Sequence, residues 1–464
     1  MKSRFLALGA ALLFSLFFYG QEPGLNVLLM SLTTTILLFV LGGSRRISPW
    51  ILSGYLFSGA FCFLFPSPGP VLMHMLSFAI LCGNYAAPET SFYLQGIIGL
   101  GNLPTGMFIA LFTGRKPNTK ASEINWNRLG STLGGILISL ILLIVFASLY
   151  APSNPLFEAL FDAIDFSFVD FGSFWFTVLG LVLFYNFFHP FNPKILVDQD
   201  SRLSDDLRLP EKEFDGDRLK ALNREGLWGR MALGSLIVLL LLYLITDWIH
   251  LGSTGLETPA MKSQAVHQGV DTLILSVLLA MAILVIFFRG DLNFIRNNRI
   301  LKKLAYIWLL LNAVLLADTA LKNAMYINGS GLTFKRLGVI LFLTLVGYGL
   351  NSVYQKIKGK HTLMFLIRKN SQFLVATLIF SLSLPWTQIV TAYNLNYLES
   401  PDTEYLASLP WSNTPQLERF SKSNPQKLSP EQREHIANRT QEYRKVMDRL
   451  EWQSIRGYHL GLFR

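Results

Sequence analysis

The chain has 464 residues, of which 51% are hydrophobic and only 15% charged, with a formal net charge of +10. So little charge cannot cover the surface of a water-soluble protein of this length, and a mean hydropathy of +0.39 places the chain among membrane proteins. The positive balance does not call for a nucleic-acid partner, because Lys and Arg fall in short loops between apolar runs, where basic residues hold loops in the cytoplasm.

At the N-terminus Lys2 and Arg4 precede an apolar run to Gly20, which imitates a signal peptide. A second run follows at once after Gln21, Glu22, Pro23 and Gly24, so the pair reads as a helical hairpin. Runs near the roughly 20 residues a crossing helix needs then recur along the chain. They predict spans at 5–20, 25–41, 50–65, 71–87, 129–150, 171–188, 231–248, 270–288, 304–321, 337–354 and 372–390, eleven in all. Cys62 and Cys82 both lie inside apolar runs and predict no disulfide framework.

With the N-terminus inside, the cytoplasmic loops carry Arg45 and Arg46, then Arg115, Lys116, Lys120 and Arg128, then Arg289, Arg296, Arg299, Lys302 and Lys303. The last such group is Lys356, Lys358, Lys360, Arg368 and Lys369. Segment 91–113 would invert every later loop if it crossed. Its Gly96, Gly99, Gly101, Pro104 and Gly106 suit a re-entrant or in-plane pair of half-helices instead. The predicted fold is therefore all-α, a polytopic transmembrane helical bundle of about eleven spans plus one non-spanning segment. Three regions follow: 1–128 with the N-terminal hairpins and the Gly/Pro-rich segment, 129–390 with a cytoplasmic loop near 192–229, and a helical extramembrane tail at 391–464. In that tail Ser429 and Pro430 mark a helix start, and Tyr405, Leu406, Leu409, Leu417, Phe420, Ile436, Tyr443, Val446 and Leu450 offer a thin core.

Several short patterns in order resemble a polytopic bacterial family of unknown function, the one numbered four-one-seven-three. They are Pro155-Leu156-Phe157, His267-Gln268-Gly269-Val270, Tyr326 before Gly331-Leu332-Thr333 and Arg336, and Ala392-Tyr393-Asn394-Leu395 before Asp402. The resemblance runs from about residue 129 onward. It implies a polytopic fold and an envelope location, an acidic residue where Gln268 stands here, and no assigned activity.

Ionisable residues inside spans are costly and are the candidate functional groups. Asp247 and His250 share one helix face, and His267 and Asp271 share a face of the next helix, so the four could form a metal site or proton relay. Asp318 and Lys322 stand one turn apart and read as an intrahelical ion pair, with Arg336 on the same side of the membrane. His74, Asn84, Asn186, His189, Asn312 and Asn351 read as interhelical hydrogen-bonding groups.

No phosphate-binding Gly-rich loop, His-Glu-x-x-His, Gly-x-Ser-x-Gly or Cys-x-x-Cys is present, and no cofactor is indicated. The sequence points to an inner-membrane protein that senses or scaffolds, with membrane lipids around it and an envelope protein partner on its outer tail. A transporter using the Asp/His cluster is the alternative. An outer-leaflet lipid enzyme with Lys322 and Arg336 as phosphate binders ranks below both.

Overall fold

The structure, a computed structural model, describes residues 2–41, 47–112, 139, 171–208, 215–254, 276, 279, 281–288, 290–295 and 298–457, with backbone alone for 2, 106–112 and 250–254. Among them every regular element is helical, apart from an isolated antiparallel bridge between Asp206 and His361.

Six helices build the N-terminal bundle: α1 (Lys2–Phe18), α2 (Leu25–Val40), α3 (Pro49–Leu64), α4 (Pro68–Ala86), α5 (Phe92–Phe112) and α6 (Phe171–Phe188). Pro49 and Pro68 sit in the first turns of α3 and α4, where a missing N–H costs nothing. Small and aromatic side chains alternate in its core, with Ala7, Ala10, Tyr55, Leu81, Cys82 and Phe187 all buried. Phe187 stacks on Phe78 at 4.9 Å between ring centres.

A short connecting helix, α7 (Lys194–Arg202), leads to the second bundle. That bundle contains α8 (Gly216–Thr254), the helical residues 281–287, α9 (Arg299–Ser330) and α10 (Phe334–Gly359), packed around Leu233, Leu284, Phe288, Leu301 and Ile357. Then α11 (Leu363–Ser383) packs on α10 and also on α3, α4 and α5, so it joins the two bundles.

Six of these helices, 68–86, 171–188, 216–249, 299–330, 334–359 and 363–383, are long and apolar enough to cross a membrane, and 3–18, 25–40 and 49–64 are shorter apolar helices. Their outward faces carry Leu239, Leu310, Ile36 and Phe380, each at least 60% exposed. Apolar groups on the outside of packed bundles mark a lipid-facing surface.

Three expectations need correction. The last span does not run over 372–390: α11 begins at Leu363 and stops before Pro385, and the chain restarts as α12 (Trp386–Tyr397). Proline cannot continue the ladder, and Arg368 enters the helix because its charge is neutralised by partners described below. Residues 91–113 do not form two half-helices, since α5 is one continuous helix containing Pro104. Its glycines serve packing instead. A Cβ on Gly83 or Gly99 would overlap the backbone of the opposite helix, at Gln95 and Ala79 respectively, so α4 and α5 cross at backbone contact. Finally, residues 216–229, placed in a loop, are the first turns of α8. Predicted spans 129–150 and most of 270–288 lie outside the described residues.

The tail comprises α12, α13 (Thr403–Ser408), α14 (Thr414–Ser423) and α15 (Pro430–Met447). A capping box opens α15: the Ser429 hydroxyl accepts from the Gln432 N–H, and the Gln432 side chain accepts from the Ser429 N–H. Leu406, Leu417, Phe420 and Ile436 gather with Leu332 and Val390, so the tail's core is completed by the α9–α10 turn.

Candidate functional site

A buried ion triad sits between α8 and α9. Lys322 Nζ lies 2.8 Å from Asp318 Oδ2, one turn earlier on α9, and 2.5 Å from Asp247 Oδ2 on α8. Side-chain exposures of 7% for Lys322, 4% for Asp318 and 18% for Asp247 leave the group nearly dry. One ammonium between two carboxylates carries a net negative charge. It fastens two long helices where apolar packing alone would let them slide.

Arg336 occupies a neighbouring position without joining that triad. Its Nη1 donates to the Ser330 carbonyl at 2.7 Å and to the Gly331 carbonyl, and its guanidinium lies 3.7 Å above the Tyr326 ring. These partners hold the α9–α10 turn, in which Gly331 adopts the left-handed φ of +83°. The Lys322 ammonium and Nη1 of Arg336 are thus turned on groups of their own chain.

Of the Asp/His pairs, Asp247 is in the triad, His250 is placed by its backbone on α8, and His267 and Asp271 lie outside the described residues. Among the described residues no three His, Cys, Asp or Glu side chains gather as metal ligands. The scattered polar residues mostly bridge helices. His74 reaches Ser58 at 3.0 Å and Ser31 at 3.4 Å, Asn84 accepts from the Ser48 N–H, Asn186 donates to the Leu103 carbonyl, and His189 meets Ser3. Asn312 donates to Trp308 in its own helix, and Asn351 is exposed.

A second polar centre has no counterpart in the sequence reading. Arg368 on α11 donates from Nε to Ser91 Oγ at 2.6 Å, from Nη1 to Asp205 Oδ1 at 2.6 Å, and from Nη2 to the Asp200 carbonyl at 2.8 Å. Asp200, at the end of α7, accepts the Ser91 N–H and hydroxyl, both at 2.7 Å. Burial pushes the Asp200 carboxyl upward, but the Ser91 and Arg368 hydrogen bonds together hold it below the ordinary carboxylate value. Asn102 then exchanges two 2.9 Å bonds with the Phe191 backbone. With both contacts on the 191–200 connection, the first half of α5 runs alongside that connection. Arg368 and its carboxylates are more than 160 residues apart in sequence, so no local signal marks them.

Two apolar bundles, an ion triad sealed between helices and a helical cap define a polytopic helical membrane protein. The chain belongs to the family described as Domain of unknown function (DUF4153), whose profile matches residues 6–420. The resemblance to family four-one-seven-three is therefore corrected: this is another family of unknown function, it covers the N-terminal bundle as well, and the acid expected at Gln268 loses its basis. No curated protein and no solved structure is detectably similar to the chain.

Proposed function

We propose that this chain is a scaffold or sensor of a bacterial inner membrane, with its N-terminus in the cytoplasm and its tail in the periplasm. Basic residues support the orientation. Arg299, Lys302, Lys303, Lys356, Lys358, Lys360, Arg368 and Lys369 all sit where α9 begins, α10 ends and α11 begins, whereas no Lys or Arg occurs from Leu384 to Glu418 after the last span.

The observation that carries the functional reading is that the tail holds both bundles. At its start Asn394 exchanges bonds of 2.7 and 2.9 Å with the Leu332 backbone, on the second bundle. At its end the Leu25 N–H donates to the Ile455 carbonyl at 2.8 Å, the Glu22 N–H donates to Ser454 Oγ at 3.0 Å, and Arg456 pairs with Glu22, on the first bundle. A relative shift of the bundles must therefore deform the tail, and a partner seated on the tail must feel that shift. Transport through Asp247 and Asp318 gains no support from a triad whose ammonium is saturated by carboxylates. Phosphate binding by Lys322 and Arg336 gains little, because the Lys322 ammonium already meets two carboxylates and Arg336 Nη1 two backbone carbonyls.

The test is site-specific crosslinking in cells from exposed tail positions such as Ser423 in the full chain. A discrete protein adduct from Ser423, not formed from a lipid-facing position such as Leu239 and weakened when the neighbouring exposed Lys422 and Lys427 are replaced by Glu, is the expected result. No adduct, together with ion or solute flux in proteoliposomes that depends on Asp247 and Asp318, would replace this reading with the transporter.

A further inference from the structure

Between the end of α7 and the start of α11 lies an open groove of about 540 Å³. Residues 202–208 form one wall. They are tied to the other chain segment where Thr362 Oγ1 donates to the Ser204 carbonyl at 2.7 Å and the Leu207 N–H donates to the Lys360 carbonyl at 3.0 Å. The second wall is the start of α11 up to Ile367, with Leu363 and Ile367 exposed. Because α11 is long and apolar enough to cross a membrane, a rise of about 1.5 Å per residue puts the groove within roughly 8 Å of that span's end. Beside it α7, nine residues long and too short to cross, leaves Ile195 76% exposed next to the exposed Lys194, as a helix at headgroup level does.

Arg202, Asp206 and Arg208 are the charged residues of the lining, and they are not equivalent. Asp206 Oδ1 meets His361 Nδ1 at 2.6 Å, and the adjoining Asp205 is taken by Arg368. Arg202 and Arg208 are exposed, and neither guanidinium has an ion pair or hydrogen bond among the described residues. A guanidinium fork matches phosphate oxygens two at a time, so the pair suits a phosphate. A wholly hydrophilic anion would leave Leu203, Leu363 and Ile367 in water, whereas an amphiphile covers them. Glu211 and Glu213 follow in the chain, outside the described residues, and are the competing carboxylates that a test must separate.

We infer that this groove binds an anionic phospholipid of the bilayer, its phosphate held by Arg202 and Arg208 and an acyl chain lying along Leu363 and Ile367. The segment that carries both arginines also carries Asp205, the partner of Arg368, so a bound headgroup holds 202–208 against α11 and steadies the junction of the two bundles. In the proposed orientation this is the cytoplasmic leaflet. Binding in vesicles does not depend on that orientation, and neither arginine lies in the tail, so failure here leaves the crosslink predicted for Ser423 untouched.

The full chain is reconstituted in phosphatidylcholine vesicles with a trace of phosphatidylglycerol bearing a diazirine on its acyl chain, and photolabelled. Adducts are expected at the groove, on residues 203–208 and 363–367, competed when unlabelled phosphatidylglycerol replaces part of the host lipid and not by glycerol phosphate in the buffer. Arg202→Gln with Arg208→Gln should lower this labelling about fivefold or more, since each basic residue at an anionic surface adds to binding. Lys220→Gln with Lys303→Gln removes the same charge from exposed positions outside the groove and should leave it unchanged. All four side chains are exposed, so the thermal transition should persist in both pairs. Labelling that is absent, indifferent to the arginines, or lowered equally by the two pairs would show no more than diffuse attraction and overturn the assignment. Competition by glycerol phosphate would overturn it in favour of a free-anion site. Labelling that appears only after Glu211→Gln with Glu213→Gln would overturn it as well, because the chain's own carboxylates would then occupy the arginines.

Discussion

Lys322 illustrates what a single side chain does in this fold. Its ammonium keeps two buried carboxylates 2.5 and 2.8 Å away from being unpaired charges, so its removal should be far more damaging than loss of one surface ion pair. Lys322→Met is expected to destabilise the protein by about 3–5 kcal/mol, whereas replacing Asp247, Asp318 and Lys322 together with Leu, Leu and Met should recover most of that loss. Thermal unfolding in detergent compares the two, and equal losses would contradict the account. Asp200 gives a pH prediction. Its folded pKa lies below its unfolded value, so its contribution is fully present above the unfolded value near pH ~4 and vanishes as pH falls through the folded one. Hydrogen-exchange protection factors at Ser91 and around Asp205, corrected for the intrinsic pH dependence of exchange, should hold from pH 7 to 5 and fall at lower pH, and Asp200→Asn should remove most of that dependence. The sequence showed Asp247, Asp318 and Lys322 as costly intramembrane charges, because cost is a property of one residue in its run. It could not show that Lys322 takes a second carboxylate from α8, which depends on packing.

At the scale of elements, the hairpins α1–α2 and α3–α4 were legible because apolar length and breaker residues act locally. Two elements were misread for opposite reasons. In α5 the glycines looked like helix breakers, but backbone groups in an apolar setting must bond within the helix, so the glycines became the contact surface for α4. In α11, Arg368 and Lys369 looked like loop residues, because the carboxylates that neutralise Arg368 come from the distant α7 connection. The α4–α5 crossing gives a sharp contrast. Gly99→Ala should cost about 1–3 kcal/mol or more by forcing the helices apart, while Gly101→Ala, where a Cβ meets nothing within 4 Å, should be neutral or slightly stabilising. A thermal shift of the same size in both variants would mean that the crossing is not at backbone contact.

Across the whole molecule, the two bundles are joined at one end by Arg368 and at the other by the tail, with α11 between them. The strap at the tail's end has one narrow point. A Cβ on Gly24 would stand 2.7 Å from the Ile455 carbonyl oxygen and 2.8 Å from that of Ser454. Gly24→Leu should therefore dislodge residues 451–457, seen as faster proteolysis after Arg449 with the bundles still folded; unchanged cleavage would argue that the strap is not seated there. The account as a whole requires the tail and the Arg368 junction to face opposite compartments. Single cysteines at the exposed positions Ser423 and Ser201, in a chain with Cys62 and Cys82 replaced by Ala, can be labelled in intact cells with a membrane-impermeant maleimide. Labelling of Ser423→Cys alone is the predicted result, and labelling of Ser201→Cys, or of neither until the cells are broken, would contradict it.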